Sequence, residues 1–318
     1  MREDAFLFGS EQGLIGIVTE PARHSHPGPA ANLGVVFLNA GVIHRVGPSR
    51  LYVTLARDLA GLGCVAARFD HSGVGDSAVR RDGLPFEESS IAEARDAMDW
   101  LQKTKGVDRF VLAGLCSGAV TAFEAAVLDQ RVVGVAMINP QGFDQSPEWN
   151  AYVINRGRAR RYLSRSVFSA RSWWNAVTGR VDYRRLKSVL LGDMAMRRNP
   201  ATQSVVSSIA SRVASDLLKL ERRGVRTLLL CSEGDDGIEY MNVILGQNVT
   251  HMTAAPHLTV EILPGADHSL TLFDSQRRVV QSFRQWAQSI GSEAPSSEAI
   301  AAQVGTVPAS VASLSVSQ

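Results

Sequence analysis

The stretch VLAGLCSGAV, residues 111–120, sets a cysteine between two glycines directly after an apolar run. Within it, GLCSG (residues 114–118) has the form G-x-C-x-G. The apolar run predicts a strand and the small residues after it predict a helix, so Cys116 falls on a sharp turn between them. A nucleophile on such a turn tolerates only small neighbours. The alternative is a core cysteine, because cysteine is among the most buried residue types.

Outward from this turn, short apolar runs alternate with helical patterns. Strands are predicted at residues 34–38, 64–69, 109–113, 132–138, 227–231 and 257–263, with a hairpin formed by residues 5–8 and 14–19. Helices are predicted at residues 49–62, 87–105, 117–128 and 275–290. This alternation predicts an α/β fold with a mostly parallel sheet and helices on both faces. Active sites of such sheets lie outside the carboxyl ends of the strands.

The chain divides by composition into a core, an insertion and a tail. Residues 1–140 and 226–292 carry the strand and helix pattern of the core. Residues 141–225 have helical stretches, many aromatic residues and, between 141 and 200, twelve basic against four acidic residues. We expect these residues to form a helical lid inserted into the core. Residues 293–318 are rich in Ala, Ser and Val, which predicts a flexible tail.

Two later strand ends carry the partners that a nucleophile needs. Asp235 and Asp236 follow the strand at residues 227–231, and His268 follows the strand at 257–263. The order nucleophile, acid, histidine is that of a hydrolase triad. We therefore predict Cys116 as the nucleophile, His268 as the group that moves protons and Asp235 as the acid that orients it, with Asp236 as the alternative acid.

Backbone N–H groups near Cys116 are expected to stabilise an oxyanion. The N–H of Ser117, at the start of the predicted helix, is one donor, and the N–H of Gly41 or Val42, in the loop after residues 34–38, is the second. Ser117 is also an alternative nucleophile, although its position after the apex of the turn favours the donor role. His44 lies in the same loop as Gly41 and either contacts substrate or faces solvent.

These motifs resemble the α/β-hydrolase superfamily over about residues 5–290. LNAG (residues 38–41) is similar to the oxyanion loop of that superfamily, with Asn39 at the usual histidine position. FDHSGVGDS (residues 69–77) is similar to its D-x-R-G-x-G-x-S turn, and SEGD (residues 232–235) to its acid turn, which favours Asp235. Within the superfamily, AGVIHRVGPSR (residues 40–50), the 69–77 turn and GLC are similar to the small hydrolases associated with bacterial exosortase A systems, with Ser117 where an aspartate is expected. The resemblance implies an α/β-hydrolase fold with a mostly parallel eight-stranded sheet, flanking helices and an inserted helical lid.

The predicted function is acyl transfer through a covalent thioester on Cys116. Acylating a thiol from a thioester changes the free energy little, whereas acylating it from an oxygen ester is uphill. This favours a thioesterase, or hydrolase, that acts on a small-molecule acyl thioester or ester. Two alternatives stay open: an acyltransferase or cyclase that passes the acyl group to an alcohol or amine, and a non-catalytic ligand-binding protein that uses the hydrolase fold.

Composition and charge bound the partners. A net charge of +2 argues against a nucleic-acid partner. Three cysteines without a C-x-x-C pair indicate neither a disulfide framework nor a metal site, and no cofactor is expected. We expect no signal peptide, no stable membrane insertion and a cytoplasmic location. In the basic lid, Arg160, Arg161, Trp173 and Trp174 either contact substrate and attract an acyl carrier protein or coenzyme A, or only form a solvated face and pack helices on the core.

Overall fold

The computed structural model describes residues 1–9, 12–22, 30–144, 146–167, 198–233, 235–245 and 256–291, with side chains omitted at 158–167. Its centre is an eight-stranded sheet with the strand order β1-β2-β4-β3-β5-β6-β7-β8. The strands are β1 Arg2–Phe8, β2 Leu14–Glu20, β3 Leu33–Leu38, β4 Val65–Phe69, β5 Arg109–Leu115, β6 Val132–Ile138, β7 Arg226–Ser232 and β8 Leu258–Leu263. Six of the strands, β3 to β8, run parallel, β1 and β2 form an antiparallel hairpin, and β2 pairs antiparallel with β4. The predicted α/β-hydrolase fold with a mostly parallel eight-stranded sheet is confirmed.

Helices cover both faces of the sheet. In the part of the chain that the structure describes, the α-helices are α1 Leu51–Ala60, α2 Phe86–Lys105, α3 Ser117–Leu128, α4 Pro147–Val167, α5 Pro200–Arg222, α6 Gly237–Leu245 and α7 Phe273–Gly291. The sequence did not predict α6, which begins directly after the acidic turn. It has nine residues, and six of its side chains, from Ile238 to Asn242 and Ile244, are buried. A short, mostly apolar run of this kind cannot be distinguished from a buried strand by its period.

Strand alternation divides the core into two layers. On β3, Val35 and Phe37 pack on the side of α1 and α7, whereas Val36 and Leu38 pack on the side of α2 and α3. Successive side chains of a strand point to opposite faces, so a strand buried on both faces is apolar throughout, as β3 is.

The described part of the insertion between β6 and β7 contains α4 and α5. Trp149 of α4 is fully buried, with its ring 5.9 Å from the ring of Tyr240 in α6. The Tyr240 hydroxyl donates to the side-chain oxygen of Asn150 at 2.7 Å. Just after α5, the Arg223 guanidinium donates to carbonyl oxygens at the C-terminal end of α3, among them Ala126 O at 2.7 Å. These contacts attach the insertion to the core on the α2 and α3 face. Residues 168–197, the central part of the expected lid, lie outside the described residues, as does the expected tail at 293–318.

Candidate active site

The turn between β5 and α3 holds Cys116 in a strained backbone conformation. Cys116 has φ 57° and ψ −123°, values that a side chain with a Cβ rarely adopts, and its N–H donates to Ile138 O at 3.0 Å. A Cβ on Gly114 would overlap the backbone of Gly118, and a Cβ on Gly118 would lie 2.5 Å from Leu38 O. Both flanking glycines are therefore required by the close passage of α3 over the strand ends.

Cys116 differs from the other two cysteines in its exposure. Cys116 is partly exposed, whereas Cys64 and Cys231 are buried in the two layers of the core. Burial raises the pKa of the Cys64 thiol to about 12 and raises that of Cys231 as well. Those two thiols stay protonated, so the description as a core cysteine fits them and not Cys116.

His268 is hydrogen-bonded to a carboxylate and lies close enough to Cys116 for the sulfur to affect its pKa. Its Nδ1 lies 2.9 Å from Asp235 Oδ1, and the Asp235 side chain is only 6% exposed. The hydrogen bond that the His268 ring donates to Asp235, and after it the nearby Cys116 sulfur, raises the pKa of His268 to about 10. The second carboxylate oxygen of Asp235 accepts from the N–H of Gly237 at 2.9 Å. A cysteine, a histidine and a buried carboxylate in this order can attack a carbonyl and protonate a leaving group.

Asp236 does not take this place. Its carbonyl oxygen accepts from the N–H of Tyr240 at 3.0 Å, the hydrogen bond of the first turn of α6. The hydrogen bond of His268 Nδ1 goes instead to Asp235, and the N–H of Gly237 holds that carboxylate in place. Of the two candidate acids, the structure therefore brings Asp235 together with His268.

Gln141 is a site residue that the sequence analysis missed. It follows β6, and its side-chain amide donates to Asp235 Oδ2 at 3.2 Å and to Oδ1 at 3.3 Å. The same nitrogen lies 3.4 Å from His268 Nδ1, and the Gln141 backbone N–H lies 3.4 Å from Cys116 O. Gln141 thus touches all three members of the series. Its position at a strand end was a usable signal, because strand ends are where such sites form.

Asn139 and Ser232 join the acid turn to the histidine loop. The fully buried Asn139, with φ 44°, donates to Ser232 Oγ and to His268 O, both at 2.9 Å, and accepts from Ser232 N at 2.7 Å. Ser232 Oγ donates in turn to Asp267 O at 3.0 Å. Since these bonds connect β6, β7 and the loop after β8, they set the distance between Asp235 and His268.

The expected oxyanion donors lie on both sides of Cys116. Ser117 opens α3, and the N–H of Gly41, with φ 55°, donates to Ser117 Oγ at 2.9 Å. The Ser117 hydroxyl therefore lies against the oxyanion loop. Val42 follows with 89% of its surface exposed. His44 is exposed, and its carbonyl accepts from Gly47 N–H.

Side chains from the neighbouring turn fix the shape of this loop. The buried Asn39 donates to Ile43 O at 2.7 Å and accepts from His71 N at 3.2 Å. The backbone N–H of Arg45 donates to Asp70 at 2.6 Å, and the Arg45 guanidinium pairs with the same fully buried carboxylate. Asn39, at the position where a histidine is usual in the oxyanion loop, is thus a structural link between two loops.

A cavity of about 360 Å³ adjoins the turn on the side of α2 and α3. We call it the Ser117 cavity. It is lined by Phe86, Glu87, Ser90, Ser117, Val120, Thr121, Glu124, Gly142, Phe143, Asp144 and Arg212. Its volume lies at the lower end of the range of about 300 to 1,000 Å³ that is typical of small-molecule sites.

The remaining candidates fall partly outside the described chain. Arg160 and Arg161 belong to α4, with side chains outside the described part, and Trp173 and Trp174 lie outside the described residues altogether. Within the described ranges, no group of three or more His, Cys, Asp or Glu side chains is arranged to hold a metal ion. In the same ranges, no helix has the length and apolarity to span a membrane.

Comparison with known proteins gives one family and many related folds. The model of the alpha/beta hydrolase family matches residues 35–282. No curated protein matches the sequence significantly. Among solved structures, an esterase from Pyrococcus furiosus aligns with TM-score 0.54 at 11% identity, covering 91% of each chain. A proline iminopeptidase from Mycobacterium smegmatis aligns with TM-score 0.53 at 14% identity, covering 91% of this chain and 99% of that one. A thermophilic esterase from Thermogutta terrifontis aligns with TM-score 0.52 at 16% identity, covering 92% and 100%. At these identities, the similarity concerns the fold.

Proposed function

Because the chain belongs to the alpha/beta hydrolase family, we propose that it is a hydrolase that cleaves acyl thioesters through a covalent thioester on Cys116. The observation that carries this proposal is the hydrogen bond between His268 and Asp235 beside Cys116, with the three residues at the carboxyl ends of β8, β7 and β5. A ligand-binding protein without catalysis would not need a carboxylate behind His268, and the 2.9 Å contact of Asp235 counts against that alternative.

In the acylation step, Cys116 attacks as the thiolate beside the His268 imidazolium. The sulfur forms a bond to the carbonyl carbon, and the carbonyl electron pair moves to the oxygen. The N–H groups of Ser117 and of Gly41 or Val42 hold this oxyanion; for Gly41 to do so, its hydrogen bond to Ser117 Oγ must open. When the oxyanion collapses, the bond to the leaving thiolate breaks and His268 supplies the proton, which leaves a neutral imidazole.

In the deacylation step, the neutral His268 accepts a proton from water as the water oxygen attacks the thioester carbonyl. The second oxyanion collapses, the carboxylic acid departs and Cys116 leaves as the thiolate, which restores the ion pair. Asp235 stays ionised throughout and keeps the protonated ring oriented through Nδ1. Each cycle consumes one thioester and one water and releases one acid and one thiol.

Thioesters are favoured over oxygen esters by the nucleophile itself. Exchange of one thioester for another changes the free energy little. Transfer of an acyl group from an oxygen ester to a thiol is uphill, because the product thioester is more reactive than the ester. A hydroxyl nucleophile would not face this limit. The sulfur of Cys116 therefore favours thioester donors over the oxygen esters cleaved by the structurally similar esterases.

Intact mass spectrometry tests the covalent step. Wild type, Cys116→Ala and His268→Ala are mixed with acyl thioesters of an uncharged thiol, and release of that thiol is followed in parallel. We expect an acyl adduct on Cys116 that wild type turns over and His268→Ala accumulates. Asp235→Asn and Asp236→Asn form a matched pair, and only the first should lose turnover. Folded protein that forms no adduct and releases no thiol across the panel would refute the proposal.

A further inference from the structure

Resting on the acyl-enzyme proposed above, we infer that the Ser117 cavity binds the acyl group of the substrate and selects acyl groups that carry a hydrogen-bond donor, namely a hydroxyl or an ammonium. The cavity begins at Ser117, the residue that follows the nucleophile, and is walled by α2, α3 and the segment after β6. The triad residues Cys116, Asp235 and His268 are not among the residues that line it.

The position of His268 indicates in which direction the acyl group of a bound substrate extends from Cys116. A leaving group must lie within hydrogen-bond reach of the imidazole that protonates it. His268 and Asp235 are not among the residues that line the Ser117 cavity. A thioester bound at Cys116 with its leaving sulfur toward His268 therefore extends its acyl group in another direction. The Ser117 cavity reaches the turn at Ser117, the residue next to Cys116, and we infer that the acyl group enters it there.

The hydrogen-bonding groups of the cavity wall are mostly acceptors. Ser90 and Thr121 are 1% and 7% exposed, and their hydroxyls donate to Glu87 O at 3.1 Å and to Ser117 O at 3.3 Å. A carbonyl oxygen can only accept, so each hydroxyl has given its proton to the helix backbone and retains lone pairs. The wall consequently favours a ligand group that donates.

The ionised groups of the wall act in the same direction. Among the described residues, Glu87, Glu124, Asp144 and one cation, Arg212, line the cavity. The Arg212 guanidinium donates to Glu124 at 3.0 Å and to Phe143 O at 2.7 Å. These two hydrogen bonds to the cavity wall leave fewer of its N–H groups for a ligand. An excess of carboxylates repels an anionic acyl group and attracts a cationic one. Any anionic carrier bound by the basic insertion is therefore expected on the leaving-group side.

Apolar side chains complete the wall. Val120 and Phe143 are 6% and 3% exposed, and Phe86 is 42% exposed. They provide surface for the carbon chain of a short acyl group, while the acceptors select its substituent. A chain of a few carbons with a hydroxyl or ammonium at its third carbon presents both kinds of surface.

The test compares four thioesters of N-acetylcysteamine that share one uncharged leaving group. Their acyl groups are butanoyl, 3-hydroxybutanoyl, 3-aminobutanoyl and 3-carboxypropanoyl, each corrected for uncatalysed hydrolysis. We expect kcat/KM for the hydroxylated substrate to exceed that for butanoyl by about 3- to 10-fold, as one hydrogen bond gives. The anionic substrate should fall at least about 10-fold below butanoyl. The ratio of the amino to the hydroxyl substrate tells which donor the cavity prefers.

Thr121→Val removes one acceptor at nearly constant volume, and Thr54→Val is its matched control on the exposed face of α1. Thr121→Val should reduce the preference for the donor-bearing substrates over butanoyl by about 3-fold or more, and Thr54→Val should leave the ratio unchanged. Thermal unfolding monitored by circular dichroism checks that both variants fold.

Two results would overturn the inference while leaving the acyl-enzyme intact. One is an adduct on Cys116 with equal rates for all four acyl groups, or with the anionic one fastest. The other is a donor preference that Thr121→Val does not change. Failure of every substrate to acylate Cys116 would instead refute the proposed function, so the two failures are distinguishable.

Discussion

Gly118 lies where the first turn of α3 passes closest to the end of β3, and Gly118→Ala perturbs the site through this contact. A Cβ at this position would lie 2.5 Å from Leu38 O and closer still to Asn39 O. Both neighbours are backbone atoms at the start of the oxyanion loop, so no side chain can rotate away to relieve the clash. The new methyl group must push α3 and the loop apart.

The size of the displacement follows from these distances. Real Cβ atoms essentially never approach a heavy atom to under 3.0 Å, so the separation must grow by at least about 0.5 Å. Overpacking of this kind costs about 1 to 3 kcal/mol of unfolding free energy. Alanine is a better helix former than glycine by about 1 kcal/mol, which offsets part of that cost or, at its lower end, all of it. We expect Gly118→Ala to be destabilised by about 0 to 2 kcal/mol in sum.

The effect on acylation should be larger than the effect on stability. The displacement acts on Cys116, two residues before Gly118, and on Gly41, which donates to Ser117 Oγ. A misplacement of about 1 Å costs on the order of 100-fold in rate, so about 0.5 Å predicts at least a 10-fold loss. Thioester cleavage and intact-mass kinetics measure this loss, and denaturant unfolding measures the stability.

Gly13→Ala is the matched control. A Cβ at Gly13 meets only the Cβ of Ala78, at 3.3 Å, away from the turn that carries Cys116. It should retain wild-type acylation. A Gly118→Ala protein with wild-type acylation rate and stability would show that α3 does not depend on close contact with β3, and would refute the steric account of the turn.

Further substitutions probe the network around the triad. Asp235→Asn removes the largest contribution to the raised pKa of His268. In wild type, His268 loses its proton as pH rises through about 10, and in the variant it should lose that proton at lower pH. The descending limb of the pH profile of acylation should therefore shift to lower pH. If the descending limb stays at its wild-type pH, deprotonation of His268 is not its cause. Asn139→Ala leaves Ser232 N–H and His268 O without their partners and should cost about 3 kcal/mol in denaturant unfolding together with a loss of turnover. Arg223→Ala removes donors from the C-terminal carbonyls of α3 and should lower the unfolding free energy by about 1.5 to 3 kcal/mol while sparing kcat, so a selective loss of kcat would contradict a purely structural role.

The strand and helix pattern was predictable because its signals are local. The apolar strand β5, the small residues of α3 and the G-x-C-x-G turn lie next to one another in the chain, and the predicted helix at residues 117–128 coincides with α3. Helix α6 was not predicted. It has nine residues and is mostly buried by contact with α4 and α5, and so short an apolar run cannot be assigned to a helix by its period alone.

The contacts between strand ends required the tertiary structure. Gln141 donates to Asp235 across 94 residues of sequence, and Asn139 joins Ser232 across 93. The choice between Asp235 and Asp236 is a difference of one residue in a turn, and the N–H of Gly237 orients the first of them. Sequence order suggested which strand ends matter, but no local pattern shows which side chains meet there.

By itself, the sequence determined the α/β layers, the turn at Cys116 and the family to which they belong, because burial on both faces of a strand and the steric demand of two glycines are written into short segments. The tertiary structure decided which carboxylate lies behind His268, how Asn139 and Gln141 bind the loops together and which groups line the Ser117 cavity. The physical reason is that a hydrogen bond between distant segments is specified to a few tenths of an ångström by the packing of the whole sheet, and that distance has no counterpart in the order of residues along the chain.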